Sequence, residues 1–136
     1  MDYTLYSVQG IGWGRLGHRQ SLADTLQVVD LLNFDDQKCS ELYPPHRLLQ
    51  NGYNETSQVC YGDPDNVMDT CEGDSGGPVH VVSHNCLYTV VGVTSFGKAC
   101  GIEAGAGVYT RVQHYTPWIE SIVWPYFGYI NNVFTE

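Results

Sequence analysis

Asp69-Thr70-Cys71-Glu72-Gly73-Asp74-Ser75-Gly76-Gly77-Pro78 is the stretch that decides the fold of this chain. Its three glycines allow backbone conformations with positive φ and leave main-chain N–H groups unshielded by side chains. Two such N–H groups beside the Ser75 hydroxyl would form a pocket for a negatively charged oxygen. A serine alone predicts little, because most serines are solvated turn residues. The run as a whole predicts a site built around Ser75.

The second half of this stretch, Gly73-Asp74-Ser75-Gly76-Gly77-Pro78, resembles the nucleophile motif of the trypsin/chymotrypsin-like serine proteases. Further motifs fall in the order that this family shows: Gly12-Trp13-Gly14, Leu26-Gln27-Val28, Cys39, Cys60, Cys71, Ser95-Phe96-Gly97, Cys100, Gly107-Val108-Tyr109-Thr110-Arg111-Val112 and Trp118-Ile119. The resemblance therefore covers most of the chain. It implies the C-terminal half of the family's two-barrel domain. Loop details and a glycosylation sequon further resemble secreted arthropod cascade (clip-type) proteases.

Many short strands separated by turns, followed by one terminal helix, predict an all-β protein with a small antiparallel barrel. The resemblance implies a Greek-key barrel, the C-terminal barrel of the chymotrypsin-like fold, with a C-terminal α-helix. We assign residues 1–123 to this barrel and helix, with the N-terminal barrel missing, and 124–136 to an aromatic-rich tail of unknown role. Strands are predicted over residues 3–11, 25–32, 59–61, 78–82, 87–96 and 108–112, and a short helix over 37–42. A last helix is predicted to start with Thr116 as N-cap and Pro117 as first helical residue.

The resemblance assigns the catalytic roles. It implies that Ser75 attacks a peptide carbonyl and forms an acyl-enzyme, while the N–H groups of Gly73 and Ser75 hold the developing oxyanion. Asp74 matches the family residue that pairs with a freed N-terminus after activation cleavage. Without such a partner, we expect a buried Asp74 to be costly or its loop to relax. No histidine matches the catalytic base, so all five are expected to be surface or structural: His18, His46, His80, His84 and His114.

The resemblance also implies a specificity pocket. Asp69 matches the pocket base, where a carboxylate favours a long cationic side chain and hence cleavage after Arg or Lys. Gly97 and Gly107 match the pocket walls. Ser95 and Gly97 match residues whose main chain pairs with substrate as an added strand. Phe96 stands where the family usually has tryptophan.

Composition limits the partners. Six Lys and Arg against 15 Asp and Glu give a net charge of −9, which argues against a nucleic-acid surface. The chain has no basic cluster for an anionic membrane. We expect protein or peptide substrates, the missing N-terminal barrel in cis or in trans, and serpin-type inhibitors as candidate partners. We expect no nucleic acid, no membrane, no cofactor and no metal.

Five cysteines in a chain of this size indicate an oxidising compartment. The resemblance pairs Cys39 with Cys60 and Cys71 with Cys100. Cys86 is left over for a bond to a partner chain, a bond to a missing segment, or burial as a small apolar residue.

A second extracellular feature is the triplet Asn54-Glu55-Thr56, an N-glycosylation sequon that is consistent with a secreted surface loop. The first residues nevertheless show no export signal, so we interpret the chain as incomplete.

Two classes of function remain. The first is a serine-type endopeptidase, represented by a fragment that lacks the catalytic histidine and aspartate and is inactive alone. The alternative is a non-catalytic, protease-like binding module that keeps the Arg/Lys pocket. A third, lesser hypothesis is a chain that docks with a separately encoded N-terminal barrel. For the module and the docking chain alike, the partner-facing surface would be exposed and prone to association.

Overall fold

The computed structural model describes residues 7–63, 70–98 and 105–125. Six strands lie in this part of the chain: β1 (Val8–Gly12), β2 (Gln27–Asn33), β3 (Gln58–Gly62), β4 (Pro78–Val82), β5 (Tyr88–Phe96) and β6 (Ala106–Arg111). Two helices accompany them, α1 (Asp36–Leu42) before β3 and α2 (Val112–Val123) after β6.

The strands close into one antiparallel barrel in the order β1-β2-β3-β6-β5-β4. The first three strands form a meander, and β4 returns to pair with β1, with Gln9 opposite His80 and Gly10 opposite Val79. A fourth strand that lies beside the first of three consecutive strands is the Greek-key arrangement. The fold-class prediction, an all-β antiparallel barrel with a C-terminal helix, is therefore confirmed.

The barrel interior is filled by alternating side chains of the strands. Val8, Leu31, Val79 and Tyr109 are almost completely buried and belong to one apolar cluster. Because successive residues of a strand point to opposite faces, this inward set leaves polar neighbours such as Gln9 and Asp30 to hydrogen-bond on the outside. Burial of such apolar side chains is the main source of stability in a small barrel.

A second cluster lies outside the barrel, where α1 packs against β3. The disulfide between Cys39 of α1 and Cys60 of β3 is at its centre, so this predicted bridge is confirmed. The Tyr53 hydroxyl donates a hydrogen bond to Asp36 Oδ1 at the start of α1 (2.5 Å). Burial, reinforced by this bond, raises the pKa of Tyr53 above its usual range. The helix is thus held at its first residue, Asp36, and at its middle residue, Cys39.

The other cysteine predictions are tested in part. Cys71 is disulfide-bonded, while its predicted partner Cys100 lies outside the described residues. Cys86 is a free, exposed thiol in the turn between β4 and β5. Of the three fates left open for Cys86, burial as a small apolar residue is therefore wrong.

The start of the last helix differs from its prediction. The structure begins α2 at Val112, and Pro117 lies inside the helix instead of at its first position. The Thr116 hydroxyl donates a hydrogen bond to Val112 O in the preceding turn (3.3 Å) and does not cap the helix N-terminus. The physical reason lies in β6, because Arg111 N is bonded to Ser57 O (2.9 Å) and the chain turns directly from this anchored strand end into the helix.

Other boundaries agree more closely. The predicted strand over residues 78–82 has the bounds that the structure gives to β4, and the strand over 87–96 differs from β5 by one residue. Of the predicted first strand, residues 3–6 lie outside the described part. So do residues 126–136 of the proposed tail.

Loss of the α1–β3 bridge should lower stability. Replacing both Cys39 and Cys60 with serine opens a loop of 21 residues, and on the loop-closure argument this costs about 3 kcal/mol of the free energy of unfolding. Urea unfolding under non-reducing conditions measures the change. Cys86→Ser is the matched control, because its thiol forms no bond within the described structure. An equal loss in the control would contradict this prediction.

Candidate active site

The serine loop consists of two consecutive turns that share Asp74. Asp74 N donates to Cys71 O (3.0 Å), and Gly77 N donates to Asp74 O (2.9 Å). The third residue of each turn has positive φ, +98° at Gly73 and +83° at Gly76, while the second does not. This pattern defines type II turns, which require glycine or asparagine at the third position. Two of the three glycines thus have the conformation that the sequence suggested.

Gly77 has a different role. Its φ is not positive, but a side chain there would lie 2.8 Å from Asp74 O and 3.2 Å from Ile11 O. Glycine at position 77 therefore permits close approach of two main-chain segments.

Main-chain hydrogen bonds fix the second turn to the barrel wall. Gly76 N donates to Thr94 O (2.8 Å), and Thr94 N donates to Gly77 O (2.9 Å). Thr94 lies in β5 and is buried. These bonds hold Ser75, the second residue of the turn, on the surface of the barrel with an exposed side chain.

The Asp74 carboxylate fixes the first turn from inside. Its Oδ1 accepts from Gly14 N and its Oδ2 accepts from Cys71 N, both at 2.8 Å. A Cβ on Gly12 or Gly14 would collide with this carboxylate, which explains glycine at both positions. The expectation of a costly or relaxed Asp74 is therefore wrong for this structure, because two main-chain donors satisfy the partly buried carboxylate.

A cleft of about 400 Å³ opens beside Ser75. It brings together four residues singled out from the sequence: Ser75, Ser95, Gly97 and Gly107. The remaining lining residues are Thr70, Cys71, Glu72, Thr94, Phe96 and Lys98. Asp69, the predicted base of the pocket, lies outside the described residues and directly precedes Thr70 in the chain.

Two main-chain donors in this region have no acceptor. Within the described parts of the chain, neither Gly73 N–H nor Ser75 N–H donates a hydrogen bond. Both belong to the double turn, so their directions are set by the same hydrogen bonds that shape the loop. Stabilisation of an oxyanion requires free N–H donors that are held in fixed directions.

Tyr43 supports the far wall of the cleft, a role that the sequence did not reveal. Its hydroxyl donates to Ala106 O (2.5 Å) and accepts from Lys98 N (3.2 Å), so it joins the residues next to Gly107 and Gly97. Its ring also meets Phe96 edge to face, with ring centroids 5.6 Å apart. Phe96, which stands where the family usually has tryptophan, thus still provides an apolar ring for packing. Only the long-range contacts identify Tyr43, because it is 63 residues from Ala106.

The histidines lie elsewhere. All five are within the described residues, and none lines the cleft. His80 is buried in β4, and its ring packs edge to face on Tyr88 at 5.0 Å. Its position opposite Gln9 of β1 places it in the barrel wall and not at the serine loop.

The chain belongs to the trypsin family of serine proteases. Residues 6–119 match the Trypsin family, which confirms the resemblance drawn from the motifs. Serine protease snk of Drosophila melanogaster is 41% identical over 123 residues, covering 89% of this chain and 28% of that protein. Coagulation factor XI of Bos taurus is 35% identical over 108 residues, covering 79% of this chain and 16% of that protein. The chain thus spans between 16% and 28% of the length of these two relatives.

The described residues show neither a metal site nor a helix that could span a membrane. Across residues 7–63, 70–98 and 105–125, no cluster of histidine, cysteine and acidic side chains is arranged to hold a metal ion. Neither α1 nor α2 has the length and apolar character needed to cross a membrane.

Removal of the Asp74 acceptor should destabilise the serine loop. Asp74→Asn replaces one carboxylate oxygen with an NH₂ group that faces a main-chain donor, so one N–H loses its partner. We expect the free energy of unfolding to fall by about 2 kcal/mol. Denaturant titration measures this loss, and Asp24→Asn, on an exposed loop, is the matched control. Equal stability of the two variants would show that the Asp74 bonds contribute nothing.

Proposed function

We propose that the protein containing this chain is a serine endopeptidase that cleaves after Arg or Lys, with Ser75 as nucleophile. The observation that carries this proposal is the position of Ser75 at a cleft, in a hydrogen-bonded double turn whose Gly73 and Ser75 N–H groups donate to no described residue. Family membership adds the expectation of proteolysis.

The proposed reaction is acyl transfer. Ser75 Oγ attacks the carbonyl carbon of the scissile peptide, and the carbonyl oxygen takes the negative charge between Gly73 N–H and Ser75 N–H. Collapse of this intermediate breaks the C–N bond and releases the amine, and water then hydrolyses the ester on Ser75. Each proton transfer needs a base near Oγ. Because no histidine lines the cleft, we assign this base and its orienting aspartate to the N-terminal barrel, supplied in cis or in trans. The isolated chain is then inactive.

The surface of the chain supports a missing neighbour. Trp118 and Ile122, one turn apart on α2, are each 64% exposed. Apolar area of this kind on a small barrel marks an interaction surface. A preceding barrel that covers it would account for its composition.

Preference for Arg and Lys depends on Asp69 and on the shape of the cleft. Thr70, the residue that follows Asp69 in the chain, lines the cleft, which supports Asp69 as its proposed base. Gly97 and Gly107 leave the walls free of side chains, and the main chain around Ser95 offers an edge to an extended peptide. A long cationic side chain would fill this space and pair with Asp69.

Secretion and glycosylation belong to the same proposal. The Cys39–Cys60 disulfide indicates an oxidising compartment. Asn54 is exposed, and its Oδ1 accepts from Thr56 N (3.0 Å) in a surface turn, so the sequon is accessible.

Substitution of the nucleophile tests the enzymatic proposal. In the full-length, activated protein, Ser75→Ala should reduce hydrolysis of an arginyl amide substrate by about 10⁴-fold or more, because no oxygen remains to form the acyl-enzyme. Labelling by a fluorophosphonate probe should disappear as well. Ser83→Ala, in the exposed turn after β4, should leave both signals unchanged.

Binding separates the two classes of function. A wild-type protein that binds benzamidine but neither hydrolyses the substrate nor reacts with the probe would support a non-catalytic module. Loss of benzamidine binding in Asp69→Ser, with labelling of Ser75 retained, would identify the pocket base. A wild-type enzyme that prefers an apolar residue before the scissile bond would exclude the Arg/Lys proposal.

Glycosylation is tested separately. Expression in a secretory host should give a chain whose electrophoretic mobility increases after treatment with peptide N-glycosidase. Asn54→Gln should remove this difference, whereas Thr56→Ser keeps the sequon and should preserve it. A mobility that does not respond to the enzyme would show that Asn54 is not used.

A further inference from the structure

Arg15 holds Glu72 through two hydrogen bonds. Its main-chain N donates to Glu72 O (2.8 Å), and its Nε donates to Glu72 Oε2 (2.9 Å). A third bond, from Arg15 Nη1 to Gln20 O (2.6 Å), ties the guanidinium to its own loop. Glu72 lines the cleft, so this contact lies directly behind the candidate active site.

The main-chain bond acts on the peptide unit that contains the first oxyanion donor. Glu72 C=O and Gly73 N–H belong to the same trans peptide, the central peptide of the turn from Cys71 to Asp74. A trans peptide is planar, and its C=O and N–H point in opposite directions. When Arg15 binds the carbonyl, it therefore directs Gly73 N–H away from the Arg15 loop.

This turn has an alternative form. Types I and II differ chiefly in the orientation of the central peptide, with ψ of the second residue changing from about −30° to about +120°. Gly73 can adopt the third-residue φ of either type, because it has no Cβ. The backbone by itself therefore permits a flipped peptide. In that form the Glu72 carbonyl would lose Arg15 N–H, and the Gly73 donor would point the other way.

The side-chain bond from Arg15 to Glu72 offsets the negative charge of the Glu72 carboxylate. Glu72 directly precedes Gly73 in the chain. Its carboxylate would repel negative charge that develops on a substrate oxygen near the Gly73 N–H. The Arg15 guanidinium at 2.9 Å compensates this charge. Both side chains are partly exposed, 39% for Arg15 and 66% for Glu72, so salt should weaken the pair.

We propose that Arg15 is a positioning residue of the oxyanion site: its guanidinium, bonded to both Glu72 and Gln20, holds the Arg15 main-chain N–H against the Glu72 carbonyl and neutralises the Glu72 carboxylate. The proposal rests on the proposed peptidase function. Arg15 touches no reacting atom, so its contribution concerns the transition state and not the binding of a substrate side chain.

Arg15→Ala in the full-length, activated protein tests the proposal, because it keeps the main-chain N–H but removes the guanidinium that holds this donor against Glu72. We expect kcat for an arginyl amide to fall about tenfold, with KM changed less than about twofold, because the lost interaction serves the transition state. The affinity for a peptide boronate, which places an oxygen at the oxyanion site, should fall in parallel. The affinity for benzamidine, which does not use that site, should stay unchanged.

Further variants separate the two actions of Arg15. Glu72→Gln keeps an acceptor for Arg15 Nε and should retain kcat within about twofold, since it removes charge but not the bond. The double variant with Arg15→Ala should recover part of the lost kcat, because no uncompensated carboxylate remains. Arg15→Lys keeps the positive charge, so its kcat should lie between the values for the wild type and for Arg15→Ala. Arg47→Ala removes a positive charge from an exposed loop away from the cleft and is the control for net charge.

The outcomes distinguish this proposal from the peptidase assignment. Absence of Ser75-dependent hydrolysis in the wild type would refute the peptidase function. An active wild type with unchanged kcat in Arg15→Ala, or with equal losses for boronate and benzamidine, would overturn the role of Arg15 alone. A readout without turnover is the NMR signal of the Gly73 amide. Exchange broadening in Arg15→Ala but not in Arg47→Ala supports a released peptide, and identical signals in both variants contradict it.

Discussion

The conformation of the serine loop depends on one carboxylate. Asp74 accepts hydrogen bonds from Gly14 N, 60 residues away, and from Cys71 N, three residues away, and so it joins the segment after β1 to the first turn of the loop. Gly12 and Gly14 are required because the carboxylate occupies the space of their side chains. A partly buried carboxylate without these donors would be strongly unfavourable, so the loop and the glycine turn stabilise each other.

The barrel supplies the rest of the geometry. Thr94 of β5 holds the second turn through two main-chain bonds, and Tyr43 joins the two segments on the opposite side of the cleft. The cleft therefore lies between parts that are each anchored to a strand. Glycine at 97 and 107 leaves its space open, while Phe96 packs behind it. The site can stay rigid although most of its residues lie in turns and at strand ends.

The sequence allowed prediction of features that depend on local chemistry. Runs rich in β-branched residues gave β4 and β5 within one residue, and the glycines at 73 and 76 have the positive φ that their positions suggested. Features that depend on distant contacts were missed. Thr116 and Pro117 have the residue types of a helix start, but the anchored end of β6 begins α2 earlier. No local signal connects Tyr43 or Arg15 with the cleft, because their partners lie 55 or more residues away in the chain.

These contacts also divide the proposed catalytic tasks between two barrels. The segment after β1 orients the first turn through Gly14 and contacts Glu72 through Arg15, so contacts within this barrel alone hold the turn that carries the proposed oxyanion donor Gly73. The described cleft contains no histidine that could take the proton of Ser75. Stabilisation of developing charge requires fixed dipoles, whereas proton transfer requires a base within hydrogen-bond reach of Ser75 Oγ. Under the proposed function, a chain with the first and without the second has the preorganised half of a catalytic site, and its activity depends on the proposed second barrel.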